Sequence, residues 1–498
     1  MLRRCLLSSL FVLAAAPAPA QDRLPPPVLA AMEAAGVPAD ALGAVALPLG
    51  FRALPWRHRA TEPMQPGSSM KLVTAAVVLD TLGAHATTGT RLLSAAPLED
   101  GVLRGALVLQ GGSDPDFGAE RLWTMLRELR DTGVRRIEGD LLLDRSRFRP
   151  ERLDVGAPPF DERPESWWNV IPDALLFDGG LQRIAIVATA EAVTARLLPS
   201  VAGVRVDTSA LRLNDRPCTE WDAEWQQPRA VDDAAAPGAV VVQLQGAFPR
   251  NCTRNDAMQL VDRSRWIGLV FAQLWQQLGG EWAGRVGEAA TPAAARVLVE
   301  RRGRPWGEVM RPVIKTSDNT LSRLQFLELG LPDAASAPAD VATLTLARER
   351  VPRWFAEKRI AAPGLVMDNG SGLSRSERIT PLTMARLLEW VRSSVHAADL
   401  GATLPTAGVD GTLRNRLKTG PATGVARLKT GTLKNVVALA GYIVDSSGRS
   451  WAVAFMVNHD NAPRARPVLD ALVDSFMRST PQSFMRQPKA VRPQGKGR

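Results

Sequence analysis

Three short stretches of the chain concentrate the residue types that nucleophilic catalysis needs. The first is GSSMKLVT, where Ser68 stands three residues before Lys71 at the apolar start of a helical run. Positions i and i+3 share a helix face, so the hydroxyl and the amine project side by side. A lysine that sheds its proton in a desolvated pocket can serve as the base for such a serine. The competing reading is a solvated lysine in a first turn, with Ser68 or Ser69 as its N-cap. The second stretch is Ser317-Asp318-Asn319 in VIKTSDNTLSRL, and the third is Lys429-Thr430-Gly431 in VARLKTGTLKNVVALAGYI. Alone, the second reads as a turn or N-cap and the third as a solvated strand end. Other chemistries lack their residues: there is no H-E-x-x-H, no cysteine cluster, no G-x-x-x-x-G-K-[ST] and no G-x-S-x-G, and His58, His85, His396 and His459 are scattered singly.

The K-T-G triplet occurs twice, which forces a choice. Lys418-Thr419-Gly420 runs into Pro421, Ala422, Thr423 and Gly424, which break a strand, so that copy belongs in a turn. Lys429 leads instead into the strand-like VVALAGYIV. Lys429 is therefore the copy expected to present its side chain from a strand.

The elements that must position these residues read as a split, helix-containing unit around a β-rich excursion. PPPVLAAMEAAGVPADALG reads as a short helix and LGAVALPLG as a strand, ahead of the Ser68 helix. From about Thr88 the texture changes to half-buried strands separated by turns: GVLRGALVLQ, IEGDLLLD, LQRIAIVATA, VRVDTSALRL and AVVVQLQGAF. GGSDPDFG lacks nucleotide-loop spacing and is assigned to a turn. Helical periodicity returns in RWIGLVFAQLWQQLGG and in PWGEVMRPVIKTSDNTLSRLQFLELG, and VVALAGYIV with WAVAFMVN forms a hairpin before a last helix, PRARPVLDALVDSFMRS.

At 498 residues the chain is long enough for about three domains, and 45% hydrophobic with 22% charged residues is a globular composition. Arg3 and Arg4, an apolar run from Leu6 to Ala16 and Ala18-Pro19-Ala20 read as a secretory signal peptide over residues 1–20, with a retained N-terminal anchor as the alternative. Its removal takes away Cys5 and leaves Cys218 and Cys252, which in an exported protein read as one disulfide or as two buried thiols. The formal charge of +10 falls to about +8 with the signal. Export makes an anionic envelope polymer or a membrane surface, in place of nucleic acid, the partner for that surplus. Part of it lies in the Pro-rich basic tail PQSFMRQPKAVRPQGKGR, read as a disordered end and a peripheral wall or membrane tether.

S-x-x-K, S-x-N and K-T-G in that order form the signature set of penicillin-recognising serine enzymes. The 249 positions between Ser68 and Ser317 exceed what a compact β-lactamase needs. The chain resembles the class C low-molecular-mass penicillin-binding proteins, the D-alanyl-D-alanine carboxypeptidase/endopeptidase family, in which domains are inserted between the first two motifs. MQPGSSMKLVTAAVVLDTLG, LVLQGGSDPDFG, IEGDLLLDRSRF, MDNGSGLSRSERITP, GVDGTLRNRL and LKTGTLKNVVALAGYI carry the resemblance, which covers nearly all of the mature chain. One departure is WWNVIPDALLFDGG, where the family usually carries a proline pair; that loop faces the site in relatives.

The resemblance implies an α/β (α+β) fold with a β-lactamase/transpeptidase-like catalytic domain. Residues 21–87 and 290–479 would form that domain, 88–160 and 250–289 an inserted domain II, 161–249 a domain III and 480–498 the tail. It implies attack by Ser68, proton uptake by Lys71, proton transfer by Ser317 toward the leaving amine, and orientation of Lys71 and the substrate amide by Asn319. Lys429 and Thr430 would bind the terminal carboxylate, Gly431 would admit the substrate to the strand backbone, and the N–H groups of Ser68 and Thr432 would form the oxyanion hole. Arg375 reads equally as a residue reaching the stem peptide and as a surface arginine. The implied activity is a periplasmic serine carboxypeptidase and D,D-endopeptidase acting on peptidoglycan stem peptides, inhibited by β-lactams, with no cofactor and no metal. The rival readings are a β-lactamase, against which the absence of E-x-x-L-N between Ser317 and Lys429 counts for class A, and a wall-binding or sensor protein that does not turn over.

Overall fold

The computed structural model describes residues 22–485, so the signal-peptide reading and most of the basic tail lie outside the described residues. The two ends of the described chain meet in one antiparallel sheet, in the order Arg427–Leu433, Val436–Val444, Ser450–Asn458, Leu42–Pro48, Trp56–His58. The hairpin read from VVALAGYIV and WAVAFMVN is its centre. Both faces of the sheet are buried, which is why these strands are continuously apolar instead of alternating. Ala438 and Ala440 belong to the apolar cluster that also takes in Val73 and Val77 of the helix Lys71–Leu82. Their neighbours Val437 and Leu439 point the other way, into a second cluster with Leu469 and Phe476 of the helix Arg466–Arg478, which in turn packs against Pro26–Ala35.

The helix Lys71–Leu82 is buried from Lys71 through Leu79. A helix that is apolar all round belongs in an interior. Its first residue is thereby carried into the core, and that is how a lysine comes to be desolvated here.

Between this helix and the helix Trp306–Lys315 the chain builds its β-rich excursion. Gly89–Ser94 pairs antiparallel with Leu107–Gly112 and with Arg296–Arg302, and Leu141–Asp144 joins Leu107–Gly112 and Val286–Glu288 by parallel ladders. Farther out, Gln182–Ala188 lies between Val193–Leu197 and Thr253–Met258, while Val240–Pro249 pairs with Val204–Asp207, Leu211–Asn214 and Trp225–Asp232. These ladders move two boundaries. The excursion runs to Arg302, not 289, because Arg296–Arg302 closes the sheet begun at Gly89. Residues 253–258 pair with 182–187 and so go with the segment ending at 249. One apolar cluster, including Leu109, Leu126, Phe271, Ile184, Leu244 and Phe248, runs continuously through the excursion.

Cys218 and Cys252 form a disulfide with Cα atoms 5.4 Å apart, and Cys252 is buried in that cluster. Among the described residues no helix is long and apolar enough to cross a membrane.

Candidate active site

Ser68 lies in the 3₁₀ turn Gly67–Met70, and the α-helix begins at Lys71, so the expected helix starts one turn later than the serine. Neither Ser68 nor Ser69 caps it through its side chain. Ser69 is fully buried and its Oγ has no hydrogen-bond partner, whereas Ser68 opens into a cleft. Two glycines let the turn press against the strand Arg427–Leu433. Gly67 has φ 51°, and a Cβ there would sit 2.9 Å from the Thr432 nitrogen; a Cβ on Gly431 would sit 2.1 Å from the Pro66 carbonyl oxygen. The glycine of the third motif is thus required by backbone-to-backbone contact with the serine's turn.

Lys71 Nζ lies 3.1 Å from Ser68 Oγ, 2.6 Å from Asn319 Oδ1 and 2.5 Å from the Ser371 carbonyl oxygen. It is wholly buried. Burial holds its pKa well below the usual lysine value, the Lys429 charge lowers it further, and Asp318 and Glu377 act in the opposite direction.

Asn319 opens the helix Asn319–Glu328, whose N-cap Asp318 accepts from the Leu321 N–H at 2.8 Å. Its amide nitrogen donates to the Trp168 carbonyl at 3.0 Å, which leaves Oδ1 for Lys71. Just before it Ser317 takes φ 65°, a left-handed conformation that is uncommon outside glycine and concentrates at functional sites.

Ser371 belongs to a loop with its own scaffold. Glu377 Oε1 accepts from the N–H groups of Asp368, Asn369 and Gly370 at 3.2, 3.1 and 2.8 Å, and burial raises the pKa of this carboxyl. The hydroxyls of Thr74 and Ser322 donate to the Gly370 carbonyl at 2.6 and 2.9 Å.

Lys429 Nζ donates to Ser317 Oγ and to the Thr430 carbonyl, both at 2.9 Å. It too is fully buried, and desolvation brings its pKa down to about 7. Thr430 Oγ1 donates to Thr412 Oγ1 at 2.8 Å. The other K-T-G copy is elsewhere: Lys418 is exposed in an irregular segment ahead of the strand. Arg375 is in the cleft, its guanidinium 5.3 Å from the centre of the Phe160 ring and donating to the Phe160 carbonyl at 3.0 Å.

The cleft holds about 1450 Å³ and is lined by Ser68, Ser317, Asn319, Thr430, Thr432 and Arg375, among others. Trp167 and Trp168 of the divergent loop stand edge-to-face 5.7 Å apart on its wall. All nine site residues read from the sequence converge here, together with groups it did not single out: the Ser371 and Trp168 carbonyls, Glu377 and Thr412. The first two are backbone atoms with no sequence signature; the turn-rich DNGSG and VDGT stretches were the available signal for the loops that carry the others.

Comparison with known proteins bears on the family and the fold. The chain is 30% identical over 426 residues to a D-alanyl-D-alanine carboxypeptidase from an Actinomadura species, covering 82% of this chain and 76% of that one. Its fold matches the crystal structure of penicillin binding protein 4 from Haemophilus influenzae with a TM-score of 0.73 at 22% identity, covering 91% of this chain and 99% of that one. The same protein complexed with a β-lactam matches with a TM-score of 0.70, at 22% identity over 90% of this chain and 99% of that one. The model of the D-Ala-D-Ala carboxypeptidase 3 (S13) family matches residues 30–477, and the chain belongs to that family of serine-type D-Ala-D-Ala carboxypeptidases.

Proposed function

We propose that the protein removes the terminal D-alanine from peptidoglycan stem peptides through an acyl-enzyme on Ser68, and that it also cleaves D-Ala-diaminopimelate crosslinks as a D,D-endopeptidase. The observation that carries this reading is the donor count around Lys71. A neutral amine has two N–H groups and one lone pair. Asn319 Oδ1 and the Ser371 carbonyl are acceptors for the two N–H groups, and Ser68 Oγ, 3.1 Å away, is then the group whose proton the lone pair faces.

In the acylation step Ser68 Oγ bonds to the carbonyl carbon of the penultimate D-alanine while its proton passes to Lys71 Nζ. The oxyanion is received by the N–H groups of Ser68 and Thr432, each such donor being worth about 10²–10³ in rate. The C–N bond breaks as Ser317 hands its hydroxyl proton to the leaving nitrogen, and Ser317 is reprotonated at the expense of the proton that Lys71 took from Ser68, so the acyl-enzyme forms with both groups neutral again. Water then attacks the ester, and Ser68 regains its hydrogen as the shortened peptide leaves. Thr430 by contact, and Lys429 as the buried positive charge behind it, hold the terminal carboxylate. Arg375, in the cleft wall, contacts the stem peptide upstream of the scissile bond.

The endopeptidase activity is supported by cleft size, since about 1450 Å³ exceeds the usual small-ligand range and leaves room for a second peptide strand. A disulfide between Cys218 and Cys252 supports residence in an oxidising compartment outside the cytoplasm, as the exported-protein reading requires.

Incubation with stem pentapeptide and with crosslinked muropeptides, followed by mass analysis, tests both activities. D-alanine release, dimer cleavage and a labelled-penicillin adduct mapped to Ser68 are expected, all lost in Ser68→Ala. An adduct on Ser69, or full turnover by Ser68→Ala, overturns the mechanism.

A further inference from the structure

We propose that Thr412 is a specificity-determining residue for the substrate's free carboxylate: its hydroxyl and that of Thr430 form a paired clamp that favours a free C-terminus over an amide-extended one. This rests on the carboxypeptidase reading above.

The clamp follows from what actually faces the cleft. Lys429 is wholly buried, is not among the residues lining the cleft, and already donates to Ser317 Oγ and the Thr430 carbonyl. The groups in front of it that can touch a bound anion are hydroxyls: Ser317, Thr430 and Thr412 all line the cleft. Thr430 Oγ1 donates to Thr412 Oγ1 at 2.8 Å. The pair carries two protons and spends one internally, so the Thr412 proton remains available, and Thr412 as acceptor fixes the rotamer of Thr430. A carboxylate presents two oxygens as acceptors to such donors, whereas an amide in the same place presents one oxygen and an N–H that needs an acceptor.

Although Thr412 is exposed, its turn is rigidly seated. It is the middle residue of the 3₁₀ turn Gly411–Leu413, and Leu413 is fully buried. Lys315 Nζ binds Asp410 Oδ2 at 2.5 Å and the Leu404 carbonyl at 2.8 Å, while Asp410 Oδ1 accepts from the Thr406 N–H at 2.8 Å. Gly411, at φ 55°, approaches the Lys315 carbonyl so closely that a Cβ would sit 2.6 Å from that oxygen. Lys315 is the last residue of the helix Trp306–Lys315, two positions before Ser317. One helix end therefore sets both the Ser317 hydroxyl and the turn that carries Thr412. This is the preorganisation a discriminating site needs, since no loop has to be ordered when the anion arrives.

The test compares kcat/KM on a stem pentapeptide ending in free D-alanine with the same peptide amidated at its C-terminus, for wild type, Thr412→Val and Thr412→Ser. Thr412→Val keeps the shape and removes the hydroxyl, so it should lose about tenfold on the free acid and little on the amide, mainly through KM. Thr412→Ser should restore the acid preference, which a merely structural role for the side chain would not predict. An acid-to-amide ratio unchanged in Thr412→Val, with wild type releasing D-alanine, overturns the clamp alone. Wild type that releases no D-alanine from either peptide overturns the carboxypeptidase reading and the clamp with it.

Discussion

Replacing Lys429 by methionine should make the protein more stable and less active at once. The side chain is fully buried, and burial brings its pKa from 10.5 down to about 7. A shift of that size corresponds to a penalty of about 5 kcal/mol for keeping the ammonium in the fold at pH 6. Its hydrogen bonds to Ser317 Oγ and the Thr430 carbonyl offset about 1–3 kcal/mol of this. Methionine fills similar volume without a charge. Lys429→Met is therefore expected to gain about 2–4 kcal/mol at pH 6. The sign with pH follows from the lowered folded-state pKa: between about pH 7 and 10.5 the unfolded chain binds more protons than the folded one, so wild-type stability rises with pH in that window. The variant lacks this rise, and at pH 9 its advantage should have shrunk by about 3 kcal/mol. Against a peptide with a free C-terminal carboxylate the same variant loses the buried charge behind the Ser317 and Thr430 groups that face the anion, an effect of about 1.5–3 kcal/mol, or roughly 10–150-fold in kcat/KM. Urea unfolding at pH 6 and 9 and steady-state kinetics on acid and amide peptides measure both effects, with Lys418→Met as the control that should change neither. A variant less stable than wild type at pH 6, an advantage that grows with pH, or a larger kinetic loss in Lys418→Met would refute the reasoning.

Three other outcomes are expected. Gly431→Ala brings a methyl against the Pro66 carbonyl, which should cost about 3 kcal/mol in strain and remove most penicillin acylation, as read by unfolding and by labelling stoichiometry. Cys218→Ser/Cys252→Ser releases a loop of 34 positions and should destabilise the protein by about 4 kcal/mol on the chain-entropy model, while two alkylatable thiols in the unfolded, unreduced wild type would contradict the bond. Glu377→Ala leaves the N–H groups of Asp368, Asn369 and Gly370 without their shared acceptor, and the loop that offers the Ser371 carbonyl to Lys71 should loosen; stability should fall by about 3 kcal/mol, and acylation measured on the remaining folded protein should fall with it.

Those parts of the site that depend on local spacing are legible in the order of residues along the chain. Ser68 and Lys71 are one turn apart, so their juxtaposition follows from backbone geometry alone. Asn319 follows an Asp that caps its helix, and Lys429 could be preferred to Lys418 because only it enters a run able to form a strand. The central hairpin and the flanking helices were readable for the same reason: their periodicity is a property of neighbouring residues. The remaining contacts rest on partners far apart in the chain or on atoms without a side-chain identity, and they exist only once the chain has folded. Lys71 is held by the carbonyl of Ser371, 300 positions away, and Asn319 is aimed by the carbonyl of Trp168; every residue has such a carbonyl, so nothing in the sequence distinguishes these two. Thr412 and Thr430 meet across 18 positions because Lys315, in a third segment, anchors the turn that carries Thr412. The limit of the β-rich excursion was misplaced at 289 because Arg296–Arg302 shows its allegiance only in the ladder with Gly89–Ser94. Strand pairing is settled by which edges the folded core leaves open, and helix capping by the residues next door; the first is a global quantity and the second a local one, which is why the motifs and the single elements could be read from the chain while the partners they meet could not.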